Sequence, residues 1–208
     1  NSKIILLEPG FKFCIQYLLK LGIILLGIRL SLVDLFQYGS KSLAIIVPCI
    51  ISSIIIVIIL KDHFKVSNNL SLLIAVGTSI CGATAIAALA PSINAKKTEI
   101  TYAIANITVF GLLAMFLYPI IANIVFIQES LPIGLFIGSS IHETAQVAGS
   151  AMIYAEQYSN QKVVEIATVT KLVRNSLMVF VIPLLAQLSL NNEKSKTNML
   201  SIFPYFII

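Results

Sequence analysis

Charged residues are scarce in this chain. Lys and Arg together number 14 and Asp and Glu nine among 208 residues, so only 11% of the sequence is charged. Soluble domains carry about 25% charged residues. Hydrophobic residues make up 58% of the sequence, and the mean hydropathy is +0.95. The shortage of charge excludes an ordinary soluble domain and predicts an all-α, polytopic membrane helix bundle.

The sequence has too few acidic residues to balance its basic ones, and its formal net charge is +5. The basic residues lie mostly in short polar loops between apolar segments. In a membrane protein such residues set the orientation of the spans. The charge therefore does not indicate a nucleic-acid partner, and the expected surroundings are the lipid bilayer.

Metal ligands in a recognisable pattern are also missing. Cys14, Cys49 and Cys81 lie in apolar segments without metal-ligand spacing, so neither disulfides nor a metal or other cofactor is expected. The stretch HETAQ contains His142 and Glu143, but it lacks the second His that a zinc protease needs four residues on. We therefore expect no enzyme, although an intramembrane enzyme using these two residues stays an alternative.

The chain has no initiating Met, and it ends in an apolar run, residues 199–208, that is too short to span. No cleavable signal peptide is expected from its N-terminal residues. We expect a single transmembrane domain, 1–208, truncated at both ends. A turn is predicted at residues 38–41, and the second span is expected to be a plain helix facing lipid. The predicted spans are 13–36, 43–60, 71–91, 100–127, 131–155, 163–188 and the start of another at 199–208.

Two of these spans contain a repeated segment of small and polar residues. Residues 77–90, GTSICGATAIAALA, align without a gap with residues 138–151, GSSIHETAQVAGSA, at an offset of 61. Paired Gly-containing segments in a membrane protein indicate broken helices at a binding site. The alternative is that the small residues only allow helices to pack closely.

Loop lysines favour re-entrant segments at 71–91 and 131–155. With the N-terminus inside, full crossing puts six loop lysines inside and four outside, whereas re-entry puts eight inside and two outside. The positive-inside tendency favours the second arrangement. Because one true span separates the segments, re-entry also gives the two repeats opposite orientations, as in inverted-repeat transporters.

A broken helix exposes backbone N–H groups at a positive dipole end, which suits an oxyanion. Charges inside spans are costly and mark functional positions. Lys171 and Arg174 share a helix face, whereas His142 and Glu143 could couple transport to protons or ions. The alternative for Glu143 is an internal ion pair with Lys171 or Arg174. The predicted substrate-binding residues are Thr78, Ser79, Ser139, Ser140, Gln146, Arg29, Lys171 and Arg174.

The chain resembles the YeiH-like bacterial inner-membrane family, described as candidate sulfate exporters in the cation/proton antiporter and anion transporter group. The resemblance is carried by LLKLGIILLGIRLSLVDL (18–35), LIAVGTSICGATAIAALAP (73–91), EITYAIANITVFGLLAMFLYP (99–119), GSSIHETAQVAGSA and KLVRNSLMVFVIP (171–183).

The resemblance implies a multi-pass protein of the bacterial cell inner membrane with inverted repeats and discontinuous helices. It also implies a secondary transporter that exports a small anion, sulfate or a related oxyanion or sulfonate. A non-transporting subunit or a channel is the alternative, and the protein could form a homo-oligomer. The site residues inside the matching motifs are Arg29, Thr78, Ser79, His142, Glu143, Gln146, Lys171 and Arg174.

Overall fold

The computed structural model describes residue 21 and residues 32–190. All regular structure in this part is helical, which confirms the predicted all-α class. Arg29 and the run at 199–208 lie outside the described residues. The helices are α1 (Leu32–His63), α2 (Asn68–Ser79), α3 (Ala83–Leu89), α4 (Lys97–Val125), α5 (Ser130–Ser140), α6 (Thr144–Gln157), α7 (Lys162–Ser176) and α8 (Met178–Leu190).

Helix α1 runs without interruption through residues 38–41, so the turn predicted there is wrong. Ser42 donates its hydroxyl to the carbonyl of Tyr38 at 2.7 Å, which is an interaction that a helix accommodates. The same hydroxyl lies 2.9 Å from that of Thr170 in α7, and Gly39 faces Val173 of α7 at an ordinary packing distance. Polar and small residues that suggested a turn thus serve packing of α1 against α7.

Two helices of the described part are long and apolar enough to cross a membrane alone: Phe36–His63, with a mean hydropathy of 3.2, and Lys97–Val125, with 2.1. Only 11% and 17% of these apolar windows are buried within the fold. Most of their surface is therefore available to lipid. Helix α4 continues through Pro119.

Both repeated segments are broken, as predicted, and the breaks lie at equivalent positions. Helix α2 ends at Ser79 and α3 begins at Ala83, while α5 ends at Ser140 and α6 begins at Thr144. Each boundary of the first break maps onto the second at the offset of 61. Gly82 has φ +65°, and Ile141 and Glu143 are extended. The two segments thus interrupt helical winding in the same place.

Helix α7 lies at the centre of the bundle, where it packs against α1, α5 and α6. The predicted span 163–188 is not one straight helix, because α7 and α8 meet at an angle of 41°. At the bend, the amide of Leu177 donates to the carbonyl of Arg174 at 3.3 Å, a tighter turn than that of an α-helix. Helix α7 therefore presents its last turn, with Arg174, to the two breaks.

Candidate functional site

Lys171 joins the two breaks from the middle of α7. Its side chain is fully buried, and its ammonium donates to the carbonyls of Ile80 and Ile141, each at 3.1 Å, and to that of His142. Ile80 and Ile141 are equivalent in the repeat alignment. An ammonium has three N–H donors, so all of them are used. Lys171 therefore supplies charge to the site rather than a free hydrogen bond.

Arg174 makes the matching contacts one helical turn later. Its Nε donates to the carbonyl of Ser79 at 2.9 Å, and its Nη1 donates to those of Ser139 at 2.6 Å and Ile141 at 3.4 Å. Its Nη2 donates to the carbonyl of Thr78. A guanidinium has five N–H groups. Four are engaged within the described part, which leaves one N–H on Nη2 for a ligand.

The two cations sit where helix α2 and helix α5 both end. The last carbonyls of a helix lack intrahelical partners and form the negative end of its dipole. Lys171 and Arg174 satisfy such carbonyls from both helices. Their arrangement explains how two buried positive charges are stabilised without a carboxylate.

Glu143 does not form an ion pair with either cation. Its Oε1 accepts from the backbone amide of Ala83 at 2.6 Å, at the start of α3. Within residues 32–190 no ion pair joins Glu143 to Lys171 or Arg174, so the alternative internal pair is absent from this conformation. The carboxylate instead occupies the positive end of a half-helix from the other repeat.

The repeat is asymmetric at this point, because Gly82 stands at the position equivalent to Glu143. A Cβ added to Gly82 would collide with the Glu143 carboxylate, and the φ of +65° also favours glycine. The second repeat contributes the Glu143 carboxylate, and the first repeat contributes the space at Gly82 that the carboxylate occupies.

A cavity of about 150 Å³ opens beside both breaks, and we call it the polar cavity. Its lining comes from α1, from the ends of α2 and α5, and from α7. The residues are Ile46, Cys49, Ser53, Thr78, Ser79, Ser139, Ser140, His142 and Arg174. Six of the predicted site residues are therefore brought together around one space.

A second cavity, of about 240 Å³, lies on the α4 side of the second break, and we call it the apolar cavity. It shares Ser140 and His142 with the polar cavity. The other lining residues are Phe110, Gly111, Leu113, Ala114, Leu117, Tyr118 and Ile141. Ser140 and His142 thus border both spaces.

His142 has a ring nitrogen without a partner. Its Nδ1 is buried and makes no hydrogen bond within the described part of the chain. Buried polar atoms are rarely left unpaired, so such an atom needs an explanation. Since His142 borders both cavities, a ligand in either cavity could supply the missing partner.

The remaining predicted residues lie elsewhere. Gln146 does not line either cavity; its Nε2 donates to the carbonyl of Thr108 at 3.3 Å on α4, and its side chain covers Gly111. Lys171 does not line the polar cavity, and the carboxylate of Glu143 lies at the start of α3. Arg29 falls outside the described residues.

The contribution of α1 was not predicted, because residues 43–60 were expected to form a plain helix facing lipid. Ile46, Cys49 and Ser53 face the polar cavity. Their spacing of three and four residues places them on one helix face. The four-residue spacing of Cys49 and Ser53 was the sequence pattern that could have identified this face of α1.

The chain is similar to a described protein family and to several bacterial membrane proteins. A family model described as Conserved hypothetical protein 698 matches residues 5–208. The UPF0324 inner membrane protein YeiH of Escherichia coli strain K12 is 35% identical over 97% of the chain and 57% of its own length. UPF0324 membrane proteins of Streptococcus agalactiae and Streptococcus mutans are 33% and 31% identical over 98% and 97% of the chain.

The match to these relatives covers part of their length. The chain spans 61% of the Streptococcus agalactiae protein and 60% of the Streptococcus mutans protein. No solved structure gives a significant match. The names of the relatives and the apolar helices show a multi-pass protein of the inner membrane.

Proposed function

The chain belongs to the family described as Conserved hypothetical protein 698, and from this premise and the geometry of the two breaks we propose that it is a secondary transporter exporting a small anion. The observation that carries the proposal is the polar cavity. There the ends of two broken helices contact the buried guanidinium of Arg174, which has one N–H without a partner among the described residues. Buried charge of this kind is costly inside a membrane and usually functional.

The donors around the polar cavity suit an anion. Arg174 is only 4% exposed, so an anion beside it would interact across little water. Thr78 and Ser139 line the same cavity, where the hydroxyl of Ser139 donates to the carbonyl of Phe136 and that of Thr78 has no partner in the described part. At the second break the amides of His142 and Glu143 have no backbone acceptor within residues 32–190. Together these groups form the anion half-sites that the repeats predict.

Two cavities bordered by one short segment suggest a route for the solute. Ser140 and His142 border both the polar cavity and the apolar cavity. In the proposed cycle, one bundle rocks against the other around the breaks, and each cavity in turn communicates with the bound anion. The inverted orientation of the repeats is part of this proposal.

Glu143 and His142 are the proposed coupling groups. Glu143 holds the start of α3 through one hydrogen bond, so protonation of its carboxylate would weaken the link between the two repeats. His142 borders both cavities, and its ring Nδ1 has no partner in the described part of the chain, so it is the second group at the break that can accept a proton. A proton gradient should therefore change the rate of anion flux.

Arg174 provides the test. In liposomes containing the reconstituted protein, we expect Arg174→Gln to abolish anion flux, and Arg174→Lys to reduce it strongly because an ammonium cannot reproduce the planar set of hydrogen bonds. Lys162→Gln is the matched control, since Lys162 is an exposed cation at the start of the same helix. Flux is measured by counterflow of a labelled anion, with folding checked by size-exclusion chromatography.

Other outcomes would reject the proposal. Unchanged flux in a folded Arg174→Gln variant would show that the guanidinium does not bind the transported anion. Ohmic conductance without coupling to a gradient would show a channel. Conversion of a lipid-soluble compound without vectorial movement would show an intramembrane enzyme.

A further inference from the structure

We infer that the substrate of the polar cavity is a monovalent anion rather than a divalent one. The inference rests on the proposed function, and it names the charge class of the solute for the same site. Its basis is the sum of the charges that converge on the two breaks, taken with the size of the cavity and the donors left free.

The ends of the four half-helices contribute no net charge. Helices α2 and α5 end at the breaks with a negative dipole end each, and α3 and α6 begin there with a positive end each. Each end is equivalent to roughly half an elementary charge. Two negative and two positive ends therefore cancel, and the side chains decide the balance.

The side chains leave one positive charge unmatched. Lys171 and Arg174 are buried at the breaks, and Glu143 is the single carboxylate that the described residues place there. Among the side chains that the structure describes, two cations and one carboxylate give a surplus of one positive charge. An anion with one charge neutralises it, whereas an anion with two charges leaves a net negative site in a medium of low dielectric constant.

The cost of desolvation also favours a monovalent anion over a divalent one. Because the Born energy rises with the square of the charge, a dianion loses about four times as much hydration energy as a monoanion of equal size. Few donors remain free among the described residues. They are the last N–H of Arg174, the hydroxyl of Thr78 and the amides of His142 and Glu143, since the hydroxyls of Ser139 and Ser140 already donate to the carbonyl of Phe136. These donors and a single surplus charge replace the hydration of a monoanion more completely than that of a dianion.

The polar cavity has room for an anion. Its volume is about 150 Å³, which is more than a single water molecule needs. We take anions of four or five non-hydrogen atoms as probes of this cavity. Methanesulfonate and perchlorate are monovalent anions in this range, and sulfate has nearly the same shape with one more charge.

Sulfate and methanesulfonate therefore form a matched pair for the test. With the reconstituted protein near neutral pH, we expect methanesulfonate and perchlorate to bind at least about tenfold more tightly than sulfate, a margin set by the uncompensated charge and the added desolvation. Binding is measured by anion-dependent thermal stabilisation and by competition in the flux assay.

A variant with one carboxylate fewer at the breaks tests whether the charge balance causes the preference for monovalent anions. Glu143→Gln removes the carboxylate and leaves two surplus positive charges, so the preference should move towards sulfate by a comparable factor. Glu156→Gln is the matched control, because Glu156 is exposed in the last turn of α6, far from the break. The control should keep the wild-type ratio of methanesulfonate to sulfate affinity.

The outcomes separate this inference from the proposed function. Equal or tighter binding of sulfate by the wild-type protein would overturn the charge class and leave an anion transporter. Absence of binding and flux for all three anions would defeat the proposed function itself. If Glu143→Gln does not fold, the ratio measured with the wild-type protein decides alone.

Discussion

At the break between α2 and α3, Gly82 leaves the space that the Glu143 carboxylate occupies. We expect Gly82→Ala to destabilise the protein by about 1–3 kcal/mol, because a Cβ would both strain the backbone at φ +65° and displace the carboxylate. Thermal unfolding in detergent measures the effect. Gly39→Ala is the control, since its added Cβ would meet only Val173, at an ordinary 3.6 Å.

An equal unfolding temperature for the two variants would contradict this role of Gly82. It would mean that Glu143 moves aside without cost, and that the link from Glu143 to the amide of Ala83 contributes little to the fold. A loss confined to Gly82→Ala would support the contact.

The sequence predicts which side chains are unusual, but it does not predict their partners. Lys171 and Arg174 stand out because charges within an apolar segment are rare. Their actual partners are backbone carbonyls, which every residue possesses, so only the tertiary fold selects those of Ile80 and Ile141. For the same reason the sequence suggested an ion pair for Glu143, whereas the structure gives it a backbone amide.

Helices α5 and α7 approach closely because α5 has glycines at the contact. An added Cβ at Gly134 would lie 2.5 Å from Ile166, and one at Gly138 would lie 2.6 Å from the carbonyl of Ala167. Glycines four residues apart on one face are a common means of close helix contact in membranes. The small residues of the second repeat thus serve packing as well as the break.

We expect Gly138→Ala to cost about 1–3 kcal/mol through overpacking and to weaken anion binding, because it would push Ser139 away from Arg174. Thermal unfolding and the anion-dependent shift in the unfolding temperature measure both effects. Gly149→Ala in α6 is the control, since its Cβ would meet the flexible end of Met115 at 2.9 Å. Full anion binding in a folded Gly138→Ala variant would contradict the coupling.

The internal repeat predicted which two segments are broken, because the same local interruption occurs twice. It did not give the boundaries of the half-helices, since Gly77 and Gly138 lie inside α2 and α5. The turn at residues 38–41 was wrong, since serine and glycine serve helix contacts as readily as turns. The bend between α7 and α8 depends on packing around the last turn of α7, which no pattern in that segment marked.

On the scale of the whole molecule, two helices with apolar outer surfaces flank a polar centre. Helices α1 and α4 are mostly unburied, whereas the charged residues of the breaks lie between them. Composition alone predicted a membrane bundle, because apolar surface on this scale is not stable in water. The face of α1 that meets the polar cavity could not be assigned without knowing which helices pack against it.

Cys49 offers a native reporter of the central claim, that the polar cavity holds a small anion. It is exposed and lines that cavity from α1, whereas Cys81 is buried and is not among the lining residues. The measurement uses a protein with Cys14→Ser and Cys81→Ser, which leaves Cys49 as the one thiol, and a membrane-impermeant methanethiosulfonate reagent bearing a sulfonate. Cys49→Ser in the same background shows that any labelling is specific.

We predict that the reagent modifies Cys49 and that methanesulfonate slows the modification in proportion to its occupancy of the cavity, an effect absent from Arg174→Gln. A rate that does not change with anion concentration, or a thiol that the charged reagent never reaches, would contradict an anion site between the two broken helices.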